Sequence, residues 1–218
     1  MTRRSPTLLP VVLFVLTSTM AILAACGGTQ PQPRRFFSLA PEAPETHRAS
    51  SPLTLRVREL DCAEPYDQLG VVFRVSPVEV RSYRYNNWTA TPGVMVAEVL
   101  RRYFASTGYF NLVDEEDPSE LEIGGRVDVI EQVVDDGEWY GRLEVSLTLR
   151  RVRDGRVFWR QRIDGSRQAE SEDVAEVVAA QSRVLSTALS QELPALYQAA
   201  MEAAAGPPAG ATEPLDDE

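Results

Sequence analysis

The reactive side chains of this sequence are few in kind. Its 22 basic residues are all arginine, its one histidine is His47, and its two cysteines are Cys26 and Cys62, set against 32 carboxylates. A P-loop needs a lysine on the phosphates and Schiff-base chemistry needs a lysine amine, so both lack their essential group. One histidine cannot build an HExxH or three-histidine zinc site. No GxSxG elbow occurs, and nothing around Ser166 marks it as a nucleophile. The acidic run Asp114-Glu115-Glu116-Asp117 lacks EF-hand spacing and precedes Pro118, which reads as a solvated turn. A glycosidase-type carboxylate pair needs no local motif, so a secreted hydrolase stays as a third reading. The residues predict no enzyme, no cofactor and no metal site.

Net charge is −10 and the isoelectric point about 4.8. Phosphate neutralisation dominates nucleic-acid affinity, so nucleic acid is disfavoured as a partner. The remaining chemical signal is aromatic. Tyr83, Tyr85, Trp88, Tyr103, Phe104, Tyr109 and Phe110 crowd one stretch, interleaved with Arg81, Arg84, Arg101 and Arg102. Most of these fit a core. Tyr, Trp and Arg are also enriched at interface hot spots, which makes Tyr83, Arg84, Tyr85 and Trp88 the candidate partner contact.

The N-terminus carries the strongest motif. Arg3 and Arg4 precede an apolar run from Leu8 to Ala25, interrupted only by Thr17, Ser18 and Thr19. This is a secretory signal pattern, and at about 18 residues it is only marginally long enough to span a bilayer. Leu23-Ala24-Ala25-Cys26-Gly27 then resembles a bacterial lipobox. That resemblance implies cleavage after Ala25 and acylation of Cys26, whose thiolate is the nucleophile. One lipid chain holds only marginally, whereas three anchor firmly. Gly27 stands where an Asp retains many such proteins in the inner membrane, so the resemblance favours the outer membrane. Cys62 is then the one free thiol, expected to be buried or merely tolerated.

The elements that must position any site follow from periodicity. Residues 1–25 read as signal peptide and 26–33 as a Pro/Gly tether. Residues 34–203 read as one folded domain, and 204–218 as a disordered acidic tail. Strands are expected at Arg34–Ala40, Leu53–Val57, Val71–Val75, Val78–Tyr85 and Tyr109–Val113. A three-strand meander follows between Glu120 and Ile163, with hairpins at Asp136-Gly137 and Asp154-Gly155. In the meander Leu143, Val145, Leu147 and Leu149 alternate with Glu144, Ser146 and Thr148, giving one apolar face and one wet one. Thr91-Pro92 opens a helix that ends at Gly108. A second runs from about Ser171, its cap, to Ala203, with Pro194 expected to kink or break it. The cheapest burial is an α+β two-layer sandwich, a mostly antiparallel sheet with both helices on one face.

Phe36-Phe37-Ser38-Leu39-Ala40-Pro41, the segment Val72–Val80, and the spacing Tyr83, Tyr85, Trp88, Pro92 before an amphipathic helix occur together with the lipobox. In this the chain resembles the ABC-type transport auxiliary lipoproteins, the family of the paraquat-inducible protein C lipoprotein, from residue 26 to about 200. The resemblance implies a small α+β domain and a role rather than a reaction. Such lipoproteins accompany ABC permease and ATPase subunits and MCE-type proteins that move lipids or other hydrophobic molecules across the periplasm. Some assemble into homo-oligomeric rings. The alternative class is a structural or assembly lipoprotein of the outer membrane, serving lipopolysaccharide export or cell-wall binding. Asn86-Asn87, Thr89-Ala90-Thr91 and the acidic tail depart from the family pattern.

Overall fold

A computed structural model describes residues 32–42 and 53–205. The expected signal peptide, Cys26, most of the expected tether and residues 206–218 lie outside the described residues. The described residues from Arg34 on belong to one compact unit.

The strands are β1 (Arg35–Phe37), β2 (Thr54–Val57), β3 (Asp61–Cys62), β4 (Gly70–Ser76), β5 (Glu79–Trp88), β6 (Asn111–Leu112), β7 (Leu121–Asp135), β8 (Glu138–Arg151) and β9 (Val157–Gln168). The helices are α1 (Pro92–Thr107) and α2 (Val174–Ala205). The class is α+β. The long ladders, β7 with β8, β8 with β9 and β4 with β5, are antiparallel. The short ones are parallel: β1 on β5, β2 on β6, and β2, β3 and β4 in turn along the second edge of β7. The sheet is therefore mixed. Parallel neighbours need a long crossover connection, and the passage through β5, α1 and β6 supplies it between β4 and β7.

β7 and β8 set the layers. Leu121, Ile123 and Val127 share a face with Leu143, Val145, Leu147 and Leu149, all at most 1% exposed. A bulge between Val127 and Val129 shifts the alternation, so that Ile130 and Gln132 continue that face. α1 lays Val96, Val99, Leu100, Tyr103 and Phe104 into the core, and α2 adds Leu185, Leu189, Leu193 and Leu196. Gly141 lets α2 approach β8 closely: a Cβ there would lie 2.4 Å from the Val177 carbonyl oxygen.

Local chemistry sets the ends, with some corrections to the sequence reading. Asp136 (φ 47°) and Gly137 (φ 81°) make the expected two-residue hairpin. The second turn is wider than two residues. Only Gly155 has positive φ there, and Asp154 is occupied in holding Arg151, with Oδ1 3.1 Å from Nε. α1 begins at Pro92 and closes on left-handed Gly108. α2 is capped by Asp173, whose Oδ1 accepts the Ala175 N–H at 2.9 Å; Ser171 accepts from the Asp173 N–H instead. Pro194 does not break α2. It and Ser190 are on the exposed side of the helix, so the hydrogen bond that Pro194 cannot make is lost next to solvent, while Leu193 and Leu196 stay buried. The strand expected at Tyr109–Val113 narrows to β6, and that expected at Arg34–Ala40 narrows to β1.

Candidate functional site

The face of the sheet away from the helices was expected to be simply wet. It is a layer of buried carboxylates under arginines. On β7 and β8, Glu122, Glu131 and Glu144 are 4%, 0% and 4% exposed. Strand register brings cations over each. Arg56 pairs with Glu122 across β2 and β7, and Arg150 faces it from β8. The Arg150 Nε donates to Glu122 Oε1 at 2.8 Å, and Arg56 and Arg58 stand at 3.8 and 3.6 Å. Arg74 of β4 grips Glu131 with two parallel bonds of 2.7 and 2.8 Å, and the Tyr66 hydroxyl donates to the same carboxylate at 2.9 Å. Arg142 and Arg162 both donate to Glu144.

A buried charge is tolerable only when paired and hydrogen-bonded, and here each carboxylate is. The titration of these groups follows. Burial alone would raise Glu144, but the hydrogen bonds and charges of Arg162 and Arg142 outweigh it and lower the carboxyl. Burial, then the bond to Glu131, pushes Tyr66 up to about 12. Alternation marked these positions as the polar face; only the pairing of β2, β4, β8 and β9 shows which arginine meets which glutamate.

The residues singled out from the sequence separate. Cys26 lies outside the described residues. Trp88 is 1% exposed and belongs to the core, its backbone N–H donating to Leu69 O at 2.7 Å. Tyr83 is half-buried, its ring tilted 39° to that of Phe73 with the centres 4.6 Å apart, and its hydroxyl donates to Gln132 Oε1 at 3.2 Å. Arg84 is exposed, with its guanidinium 5.6 Å from the Tyr85 ring centre. Thus Arg84 and Tyr85 form the outward part of the patch, and Trp88 is part of the core. Tyr103, Phe104, Phe110 and Tyr197 pack edge to face in the core. Cys62 is half-buried, and burial, then the charge of Asp67, pushes its thiol up to about 11, far from a reactive thiolate. Among the described residues, no group of three or more His, Cys, Asp or Glu could hold a metal ion, and no helix is long and apolar enough to cross a membrane. The acidic run at Asp114 is a turn, Asp117 N–H donating to Asp114 O at 3.2 Å.

Solved structures that share this architecture include two with TM-scores above 0.5. Protein XCC0632 from Xanthomonas campestris superposes with a TM-score of 0.67 at 18% identity, over 79% of this chain and 100% of that one. A second, an uncharacterized protein, gives 0.57 at 14% identity, over 77% of this chain and 98% of that one. At these identities they show the fold alone. No curated protein matches the sequence. The family model of the ABC-type transport auxiliary lipoprotein component matches residues 37–193, from the last residue of β1 into α2. With well over half of the chain inside that match, the protein belongs to the ABC-type transport auxiliary lipoprotein family.

Proposed function

We propose that this protein is a lipid-anchored, non-catalytic auxiliary component of an ABC/MCE-type transport system moving lipids or other hydrophobic molecules across the periplasm. The family match over residues 37–193 carries the reading. The lipobox Leu23-Ala24-Ala25-Cys26 supports attachment to the envelope, and Gly27 favours the outer membrane, facing the periplasm. The missing lysine agrees with an ATPase that is a separate subunit. The partners are an MCE-type protein and the permease and ATPase subunits, with assembly into a homo-oligomeric ring. Tyr83, Arg84 and Tyr85, on the segment that ends in the core residue Trp88, are the proposed contact.

Two experiments test this. Cys26→Ser should leave an uncleaved precursor that takes up no labelled palmitate; continued cleavage and labelling would sink the anchor. Deleting the gene, with redundant paralogues removed, should change envelope permeability to hydrophobic compounds. Unchanged permeability and lipid distribution would count against transport.

A further inference from the structure

Two hairpin turns lie at one end of the sheet. β4 and β5 are joined through Pro77-Val78, and β7 and β8 through Asp136-Gly137. Because β4 runs parallel to β7, with Phe73 beside Gln132, both turns fall at the same end. Val78 is 96% exposed at the first of them. Val75 and Val134, each two residues beyond the Phe73–Gln132 pair, are exposed as well, and half-buried Trp139 pairs with Val134 across β7 and β8. A single exposed valine is ordinary. Three on two neighbouring hairpins, with Pro77 in one turn and Trp139 beside the other, make this end apolar.

The way the chain enters the domain decides what this end faces. β1 lies parallel to β5, Arg35 beside Asn86, so the N-terminal end of β1 points back toward the Pro77-Val78 turn. From Asn86 back to Glu79 is a distance of about 23 Å at the rise of a strand. The stretch from Cys26 to Arg35 reaches at most about 32 Å. An anchor at Cys26 can therefore hold the two turns against a bilayer. The opposite end of the domain is out of range. Arg35 pairs with Asp173 at 2.9 Å, just before α2, and α2 then continues for 32 residues, about 48 Å. It runs beside β8 in the same direction, from Gly141 against Val177 to Arg151, whose Nη1 donates to Ala203 O at 2.8 Å. Standing the domain on the β8–β9 turn would ask the tether to cover that length.

We propose that Val75, Pro77 and Val78, with Val134 and Trp139, form a membrane-docking surface that seats in the interfacial layer of a zwitterionic bilayer. Lipid chains on Cys26 supply the affinity. The patch is too small to hold a protein by itself, but it selects the orientation of one that is already held. Tryptophan favours this layer, where one part of its ring is dry and its N–H is wet. Charge selects the lipid. The second turn carries Asp135, Asp136 and Glu138, which are repelled by anionic headgroups and suit the ammonium groups of phosphatidylethanolamine and phosphatidylcholine. The inference rests on the Cys26 anchor proposed above. It adds which end of the domain meets the membrane, and it leaves the C-terminal end of α2 facing away from it.

The test uses the full acylated lipoprotein, reconstituted into vesicles of phosphatidylcholine and phosphatidylethanolamine. In a Cys62→Ala background, a nitrobenzoxadiazole label is placed through Val78→Cys or, at the other end, through Val152→Cys; both positions are exposed. Emission from position 78 should shift to the blue and be quenched by a lipid carrying a nitroxide high on its acyl chain. Emission from position 152 should stay water-like and unquenched. Val78→Asp, on a side chain outside the core, should remove most of the quenching of a label placed through Val134→Cys. Replacing part of the lipid with phosphatidylglycerol should weaken the quenching at low salt, and added salt should restore it.

An unquenched position 78 in acylated, vesicle-bound protein overturns the proposal. So does equal quenching at positions 78 and 152, because the domain would then lie flat. A blue shift at position 78 without nitroxide quenching overturns it too, since a second copy or a partner protein would then cover the turns. Protein that takes up no palmitate and does not float with the vesicles faults the anchor and the orientation together, whereas acylated, floating protein with an unquenched turn faults the orientation alone.

Discussion

Leu147 and Thr148 are neighbours on β8, yet they look into different worlds. Leu147 is 1% exposed among aliphatic side chains of the sheet and α2. Thr148 stands on the opposite face, across from Arg160 of β9 and Gly124 of β7. The dry face is stabilised by apolar area removed from water, which needs no particular partner. The open face also buries residues, but they are Glu122, Glu131 and Glu144, whose burial stands only while specific arginines remain in place. One face tolerates changes that conserve volume and rejects charge. The other tolerates charge and rejects unpairing.

The largest effect that could break this comparison is on the dry face. Leu147→Asp should destabilise by roughly 3–5 kcal/mol, since a carboxylate would be left among side chains that cannot pair with it. Thr148→Asp should stay within about 0.5 kcal/mol of the parent, because Arg160 lies opposite and the position is partly wet. Thermal or urea unfolding of the two variants decides. Equal losses would mean that the faces are wrongly assigned.

The sequence carries this partition unevenly. Alternation from Leu143 to Leu149 shows the dry face directly, because burial there depends on residue type alone. The open face is legible only as polar. That Glu131 is more deeply buried than most leucines depends on Arg74 and Tyr66, which lie far away in sequence and arrive through a parallel pairing that no local pattern encodes. The same holds for Trp88. Its aromatic and arginine neighbours suggest an interface, but β1 pairing at Phe37 and the close of β5 place it in the core. Pro194 misleads for the converse reason: its local penalty is real, and the tertiary burial of Leu193 and Leu196 overrides it. β9 is legible as a strand, but that β8 is its one partner among the described residues is a property of the whole sheet.

The next effect concerns the open face and is a difference rather than a size. Glu131→Leu leaves Arg74 and the Tyr66 hydroxyl without their partner and should cost about 2–4 kcal/mol. Adding Arg74→Met to that variant should recover a substantial part, because the uncompensated cation is gone and an apolar pair of similar volume takes its place. Urea denaturation of the parent, both single variants and the double variant closes the cycle. If the double variant is as unstable as the sum of the singles, Arg74 and Glu131 do not act as a pair, and the open face would not differ in kind from the dry one.

The smallest expected effect sharpens the same contrast through pH. Tyr66 titrates near 12 because burial, and then its bond to Glu131, favour the neutral phenol. Its folded-state value lies above the ordinary one, so its contribution to stability is complete below about pH 10 and is lost as pH rises toward 12. Cys62, pushed up to about 11 by burial and by Asp67, acts with the same sign, beginning to lose its contribution nearer pH 9. Arginines keep their charge throughout this range. The alkaline decline in stability should therefore have an earlier part from Cys62 and a later part to which Tyr66 contributes together with Tyr103, whose phenol is also raised by burial. Cys62→Ala should flatten the earlier part. Tyr66→Phe should flatten the later one and lower stability at neutral pH by about 1 kcal/mol, the net worth of one hydrogen bond. Urea midpoints measured between pH 8 and pH 12 on the parent and both variants resolve them. A Tyr66→Phe variant whose alkaline decline matches that of the parent would show that the phenol is not held neutral over Glu131, and that the carboxylate depends on its arginines alone.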